Sequence, residues 1–256
     1  MNIDGQIENK LKQLRLVGML ETLPVRLSQA EESRSGYLDF LMTLIEDEYE
    51  RRQSRQLLKR LKGAGFEEEK TLEGFNFSFN PQIPMQKVKQ LANCAYLERK
   101  ENIFLLGPVG VGKTHIAQAL GHTACRMGYE VLFCKAVKMF RDLNGGRADN
   151  SFESRIKRYT TVGLLIIDDF GLKPLTAIHA DDFHEVISER YLKHSTIFTS
   201  NRAIEEWQVL FPDPIIANSI MDRVAHNGHQ ITMTGESYRT KGKIISKEID
   251  VKKGGE

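Results

Sequence analysis

The octapeptide Gly107-Pro108-Val109-Gly110-Val111-Gly112-Lys113-Thr114 constrains this chain more than any other stretch of it. Glycines at this spacing let a backbone wrap a small anion without Cβ clashes. Successive N–H groups then point inward, and a helix starting at the end of the turn adds its partial positive charge. Lys113 is spaced to reach the β- and γ-phosphates of a nucleoside triphosphate, and Thr114 to place its hydroxyl on Mg²⁺. That chemistry needs a strand before the glycines and a helix after them. Ile103–Leu106 is a short apolar run ending at Gly107, and Thr114–Met127 reads as a helix stopped by Gly128.

The alternation continues downstream. Val131–Cys134, Leu164–Ile167 and Thr196–Ser200 read as strands, and Asp181–Tyr191 as a helix. Strands separated by helices imply right-handed βαβ units, hence an α/β fold with a parallel sheet. The strand Leu164-Leu165-Ile166-Ile167 ends in two carboxylates, Asp168 and Asp169. Beside a phosphate loop, Asp168 is the candidate to hold Mg²⁺ through water. Asp169 is placed to orient or deprotonate an attacking water. Asn201 ends the next strand, where it either touches the γ-phosphate or the lytic water, or serves only as a turn former. Phe75 and Phe77 are candidates for lining a base pocket.

The N-terminal third is helical by period. Ile7, Leu11, Leu14, Leu16, Leu20, Leu23 and Leu27 mark an apolar face that Gly18 and Pro24 interrupt, predicting two short helices or one kinked helix. Ala30–Gly36 reads as a polar connection. A long helix is predicted from Tyr37 to Lys62, about 39 Å at roughly 1.5 Å per residue. Its first half carries Glu46, Asp47, Glu48 and Glu50, and its second half Arg51, Arg52, Arg55, Lys59, Arg60 and Lys62. This order suits the helix dipole on a solvated face. It also puts Arg51, Arg55 and Lys59 on one side, as a phosphate-backbone stripe would need. The expected organisation is a helical domain over 1–66, a linker over 67–84, an ATPase-type domain over 85–240 and a basic tail over 241–256.

Composition narrows the classes. Lys+Arg 36 against Asp+Glu 34 leaves a net charge of +2, so any nucleic-acid surface must be local. The run Lys135–Arg158, with Lys138, Arg141, Arg147, Arg155 and Lys157 around a flexible Asn144-Gly145-Gly146, is one such candidate. No apolar run is long enough for a membrane span, and the N-terminus lacks a signal-peptide core. Three cysteines in no CxxC pair fit a reducing cytoplasm.

In order, GPVGVGKTHIAQALG, LLIIDDFGL, SERYLKHSTIFTSNR and DRVAHNGHQITMTGESYR resemble the IstB-type helper ATPases of bacterial insertion sequences. These are AAA+ proteins related to the DnaC and DnaI helicase loaders. The resemblance runs from about Leu11 to Arg239 and is specific at the phosphate loop with its following His115. It implies an AAA+ core behind a small all-helical N-terminal domain, with ATP and Mg²⁺ as cofactors. It implies Gly107–Thr114 and His115 as the nucleotide-binding segment, Asp168 as the metal aspartate and Asn201 as the polar sensor. It makes Arg223 the arginine that completes a neighbouring subunit's site. It gives the run before Asp168 a DNA-gripping role. The implied activity is a slow ATPase that oligomerises on duplex DNA, remodels it and recruits or stimulates a cognate transposase. One departure is Asp169, where many relatives of the wider class carry glutamate; the shorter side chain suits slow turnover. A helicase loader is the alternative within the same core, and a small-molecule kinase the alternative outside it.

Overall fold

The structure is a computed structural model that describes residues 5–239; the basic tail expected over 241–256 lies outside them. Two compact units divide between Lys59 and Arg60, before the boundary suggested at 66.

The first unit is helical. α1 (Gly5–Gln13) and α2 (Val17–Ser33) precede α3 (Tyr37–Ala64), whose last turns belong to the second unit. The break among the early leucines falls between Gln13 and Val17, and α2 runs through Pro24. It also continues to Ser33, so the polar connection is shorter than its composition suggested. Gly18 explains how α2 begins against α3: a Cβ there would lie 2.8 Å from Glu48 Cα. The Gly18 N–H donates to the buried Glu48 carboxylate at 2.6 Å, satisfying a donor of the first helical turn. Arg26 forks onto Asp47 through Nε at 2.8 Å and Nη2 at 2.7 Å, which holds the Asp47 carboxyl down to about 2.

The second unit is a three-layer α/β structure around a parallel sheet. Short helices α4 (Met85–Leu91) and α5 (Ala95–Glu98) lead into β1 (Asn102–Leu106), α6 (Lys113–Arg126), β2 (Val131–Lys135), α7 (Ala136–Ala148) and α8 (Phe152–Thr161). Then come β3 (Leu164–Phe170), α9 (Ala177–Arg190), β4 (Ser195–Ser200), a 3₁₀ turn (Ile204–Leu210), α10 (Pro214–Ala225) and β5 (Gly228–Thr232). The strand order is β2-β3-β4-β1-β5, with each neighbouring pair parallel. Both faces are covered, which is why β1 and β3 read as unbroken apolar runs. Phe104, Leu106, Leu165 and Ile167 point to the core shared with α7, α9 and α10, where Phe170, Phe183, Phe198 and Trp207 interlock. The alternate face meets α6, where Ile166 lies against Gly121.

At the amino ends of β3 and β4, Arg190 is 2% exposed. Its guanidinium donates to the carbonyls of Tyr159 (2.8 Å), Val162 (2.9 Å) and Ser195, and to Thr196 Oγ1 (3.0 Å). All four acceptors are neutral.

One local expectation is overturned. Asn144-Gly145-Gly146 is not a flexible turn but the last third of α7. Glycine is required there by packing: a Cβ on Gly146 would lie 2.9 Å from Arg155 Cδ and 3.0 Å from Phe152 Cα on α8. Tertiary contact outweighs the helix cost of two glycines, about 1 kcal/mol each.

Candidate functional site

The carboxyl ends of β1, β3 and β4 converge on one cavity of about 560 Å³. This is where open α/β sheets place their ligands, and the volume falls in the usual range of about 300–1,000 Å³ for small-molecule sites. Its lining includes Val109 through His115, Asp168, Asp169 and Asn201, so these sequence-predicted residues come together in one place, whereas Gly107 and Pro108 are not among the lining residues.

The loop between β1 and α6 is built from its glycines. Gly110 and Gly112 have φ of 87° and 100°, where a side chain would be strained. A Cβ on Gly112 would also lie 2.5 Å from the Phe75 ring. Gly112 caps α6 without any side-chain bond to the first helical N–H groups. Lys113 is 6% exposed, and its ammonium donates to Gly107 O (2.8 Å), Pro108 O (2.8 Å) and Asn201 Oδ1 (2.7 Å). Burial pulls the Lys113 pKa below the ordinary lysine value, and the charges of Asp169 and Asp168 oppose that pull.

Thr114 and Asp168 meet across the cavity floor. Thr114 Oγ1 donates to Asp168 Oδ1 at 2.8 Å. A hydroxyl and a carboxylate at this separation are the hard oxygen donors that a small divalent cation takes alongside phosphate oxygens and water. The residues therefore fit Mg²⁺. Asp168 is 1% exposed, and burial raises its pKa against the lowering effect of hydrogen bonds from Thr199 and Thr114.

Asp168 and Asp169 should face opposite sides of a regular strand. They line one cavity because β3 bulges against β4, where the register shifts between Ile167 and Phe170. Asp169 takes φ 57°, a left-handed conformation uncommon for a residue with a side chain. Thr199 holds this bulge: its hydroxyl donates to Asp168 Oδ1 at 2.6 Å and accepts the Asp169 N–H at 2.9 Å. Sequence reasoning passed over Thr199. The signal was a threonine flanked by Phe198 and Ser200 in a strand whose residues are all buried, where a hydroxyl must find a partner.

The segment expected as a linker packs on the core. The N–H groups of Glu67 and Glu68 donate to Gln118 Oε1 at 3.0 and 3.3 Å, and His115 Nε2 lies 2.8 Å from Thr71 O. Phe75 lines the cavity, with Phe77 edge-on behind it at 4.7 Å. Lys135, Phe79, Asn80, Tyr238 and Arg239 also line it. These residues carry no local motif.

Arg223 lies elsewhere. It sits on α10, bonded to the carbonyl and hydroxyl of Ser219, and is not among the residues lining this cavity. The candidate DNA-binding residues divide by partner. Arg147 pairs with the buried Asp182 and lies 4.1 Å over the Phe152 ring. Arg155 is bonded to Asp142 and Asp149. Lys138 is exposed, 3.9 Å from Glu67, and Arg141 and Lys157 are exposed as well. Arg51 donates to Glu21 at 3.1 Å, whereas Arg55 and Lys59 face solvent. No helix among the described residues is long and apolar enough to cross a membrane.

The model of the IstB-like ATP binding protein family matches residues 9–246. An ATP-binding protein of an insertion sequence in Mycobacterium tuberculosis is 47% identical over 237 residues, covering 92% of this chain and 94% of that protein. The insertion sequence IS21 ATP-binding protein of Pseudomonas aeruginosa is 36% identical over 238 residues, covering 93% and 90%. Among solved structures, DnaI aligns with a TM-score of 0.57 at 20% identity, covering 65% of this chain and 92% of that one. The replication initiator DnaA, bound to AMPPCP and single-stranded DNA, aligns at 0.57 and 21% identity, covering 67% and 52%. The second unit thus has the fold of the AAA+ domains in DnaI and DnaA, with a helical region before it. With its phosphate loop, paired aspartates and a family match spanning most of its length, the chain belongs to the IstB-like ATP-binding proteins of insertion sequences.

Proposed function

We propose that this protein is an ATP-hydrolysing regulator of DNA transposition that assembles on duplex target DNA, remodels it and recruits or stimulates its transposase. The observation that carries the ATPase reading is the convergence of Lys113, Thr114, Asp168, Asp169 and Asn201 on one cavity. In this reading Lys113 exchanges its carbonyl partners for β- and γ-phosphate oxygens, and Asn201 keeps a hydrogen-bonding group beside the γ-phosphate. Thr114 and Asp168 would hold Mg²⁺, which would supply positive charge to neutralise the phosphates. Asp169 accepts the proton of the attacking water, and its short side chain, set on a left-handed backbone, favours slow turnover.

Assembly follows from Arg223. An arginine outside its own chain's cavity can stabilise phosphoryl charge only in a neighbouring copy. Binding to DNA rests on the exposed Arg55, Lys59, Lys138, Arg141 and Lys157, with Arg51, Arg147 and Arg155 released from their acidic partners or acting through backbone contact. With no base-reading motif in the sequence, phosphate contacts dominate, and binding weakens steeply with salt. Insertion-sequence relatives at up to 47% identity favour a transposase over a replicative helicase as the partner, and a cytoplasmic setting accompanies that role. Size-exclusion chromatography with light scattering tests the assembly, using duplex DNA and ATP or a slowly hydrolysed analogue. A larger species that needs both is expected. A chain that stays monomeric under every combination refutes assembly, and a pull-down against helicase and transposase separates the two partner classes.

A further inference from the structure

The last described residues of the chain cross the back of the phosphate loop. The Met233 N–H donates to Leu106 O at 2.7 Å, where β1 ends. Four residues on, the Tyr238 N–H donates to Gly110 O at 3.0 Å, in the middle of the loop. A planar trans peptide points its C=O and its N–H in opposite directions. Fixing the Gly110 carbonyl towards Tyr238 therefore turns the Val111 N–H to the opposite side of the loop, away from the arm. Tyr238 and Arg239 then form part of the cavity wall.

What fastens this arm comes from the other end of the second unit's chain. Asn80 is 5% exposed. Its amide pairs with the backbone of Glu236 at two points: Nδ2 donates to the carbonyl at 3.1 Å, and Oδ1 accepts the N–H at 3.1 Å. One side chain thus replaces a neighbouring strand. Two further contacts flank the pair. Thr234 Oγ1 donates to Gln82 Oε1 at 2.6 Å, and the Phe79 ring meets Tyr238 edge-on at 4.9 Å. Gly235 admits the amide: its φ is 124°, and a Cβ there would lie 2.3 Å from Asn80 Oδ1.

We propose that Asn80 is a positioning residue for the nucleotide site, fastening residues 233–239 across the phosphate loop so that arm docking and nucleotide occupancy stabilise one another. The inference rests on the cavity being the nucleotide site. Asn80 also borders the cavity, but both of its side-chain hydrogen bonds go to the arm, so arm exchange is read beside affinity. The docked arm presets the loop and supplies Tyr238 and Arg239 to the wall, so nucleotide binds the docked state more tightly. By reciprocity, nucleotide must hold the arm down by the same factor.

The test uses the full chain, a fluorescent ATP analogue for affinity and hydrogen exchange of the 233–239 amides with and without ATPγS. In the wild type, ATPγS should slow exchange at Glu236 and Tyr238. Asn80→Ala, which removes both bonds, and Asn80→Asp, which keeps the volume but sets a carboxylate against the Glu236 carbonyl, should bind about tenfold more weakly, the worth of one or two hydrogen bonds. Both should leave the arm exchanging rapidly, and neither should alter exchange in β4. If Asn80→Ala does not fold, Asn80→Asp carries the test. Wild-type affinity in a folded Asn80 variant overturns the proposal, as does arm exchange that ignores nucleotide in the wild type. Lys113→Ala separates the two levels. If it too binds with wild-type affinity, the nucleotide site itself is wrong; if it alone loses binding, only the role of Asn80 fails.

Discussion

Replacing Thr199 by valine keeps the shape of a side chain that is 0% exposed and deletes one hydroxyl. That hydroxyl makes two bonds, 2.6 Å to Asp168 Oδ1 and 2.9 Å from the Asp169 N–H. Losing the first removes a hydrogen bond to a buried carboxylate, worth about 1.5–3 kcal/mol. Losing the second strands a half-buried amide at the bulge, at about 1–3 kcal/mol. Together the change should cost roughly 3–5 kcal/mol, a large part of the ~5–15 kcal/mol that holds a typical domain folded. Urea denaturation of the Thr199→Val protein should show this as a lower midpoint at unchanged slope. Thr199→Ser restores the hydroxyl and gives up only a methyl, about 1 kcal/mol, so it should recover most of the loss. A second reading follows the Mg²⁺ dependence of nucleotide binding. The valine protein should need more Mg²⁺ for half-maximal binding, because Thr114 alone then orients Asp168, while its Mg²⁺-free affinity stays near that of the wild type. A valine variant within about 1 kcal/mol of wild type, with an unshifted Mg²⁺ requirement, would refute the claim that this hydroxyl organises the two aspartates.

Asp169→Asn should keep ATP binding and abolish turnover in a phosphate-release assay; normal turnover removes Asp169 from the role of base. Arg223→Ala should bind ATP as a monomer yet fail to hydrolyse it in the assembly. Mixing it with Lys113→Ala subunits should restore activity, since one partner supplies the site and the other the arginine; a mixture without activity counts against action in trans. The Arg26–Asp47 pair makes a pH prediction. Asp47 is held at about 2, chiefly by hydrogen bonds from Arg26, below its ordinary 3.8. The stability it lends is therefore complete above the ordinary value and is lost as the pH falls through that window towards 2. The gap in urea midpoint between wild type and Arg26→Ala should be present at neutral pH and close near pH 2. A gap that does not change with pH would contradict the assignment.

What could be read in advance followed from strong local rules. The phosphate loop demanded a strand before it and a helix after it, and β1 and α6 stand there within a residue or two of expectation. The apolar runs of β3 and β4 were legible because both faces of the sheet are buried. β5, Gly228–Thr232, was not, because an edge strand of Gly-His-Gln-Ile-Thr buries only Ile231. α7 was hidden by the glycines that α8 requires of it, and α8 by its charge, since only Ile156 and Tyr159 are buried. The two carboxylates at the end of β3 were legible as a pair, but the bulge that turns both into one cavity depends on Thr199, a partner thirty residues away. The same limit applies to residues 67–84. Their mixture of glycine, acid and phenylalanine has no period, and their order comes from Gln118, His115 and the arm at 233–239.

Arg190 gives the sheet a fixed root. Four neutral oxygens, spread over the segments that enter β3 and β4, share one cation in the interior, and burial pulls its pKa down to about 9. A lysine there has three donors on a flexible stem and would leave carbonyls orphaned, so only the planar fork serves. The strands are therefore pinned by a buried cation where they start; where they finish, the ties are the hydroxyls of Thr199 and Ser200 and the half-buried Arg202 on the Gly171 carbonyl. That root lies at the far end of the strands from the loop, the bulge and the arm, so the cation that fixes the sheet is kept apart from the cavity at its tips.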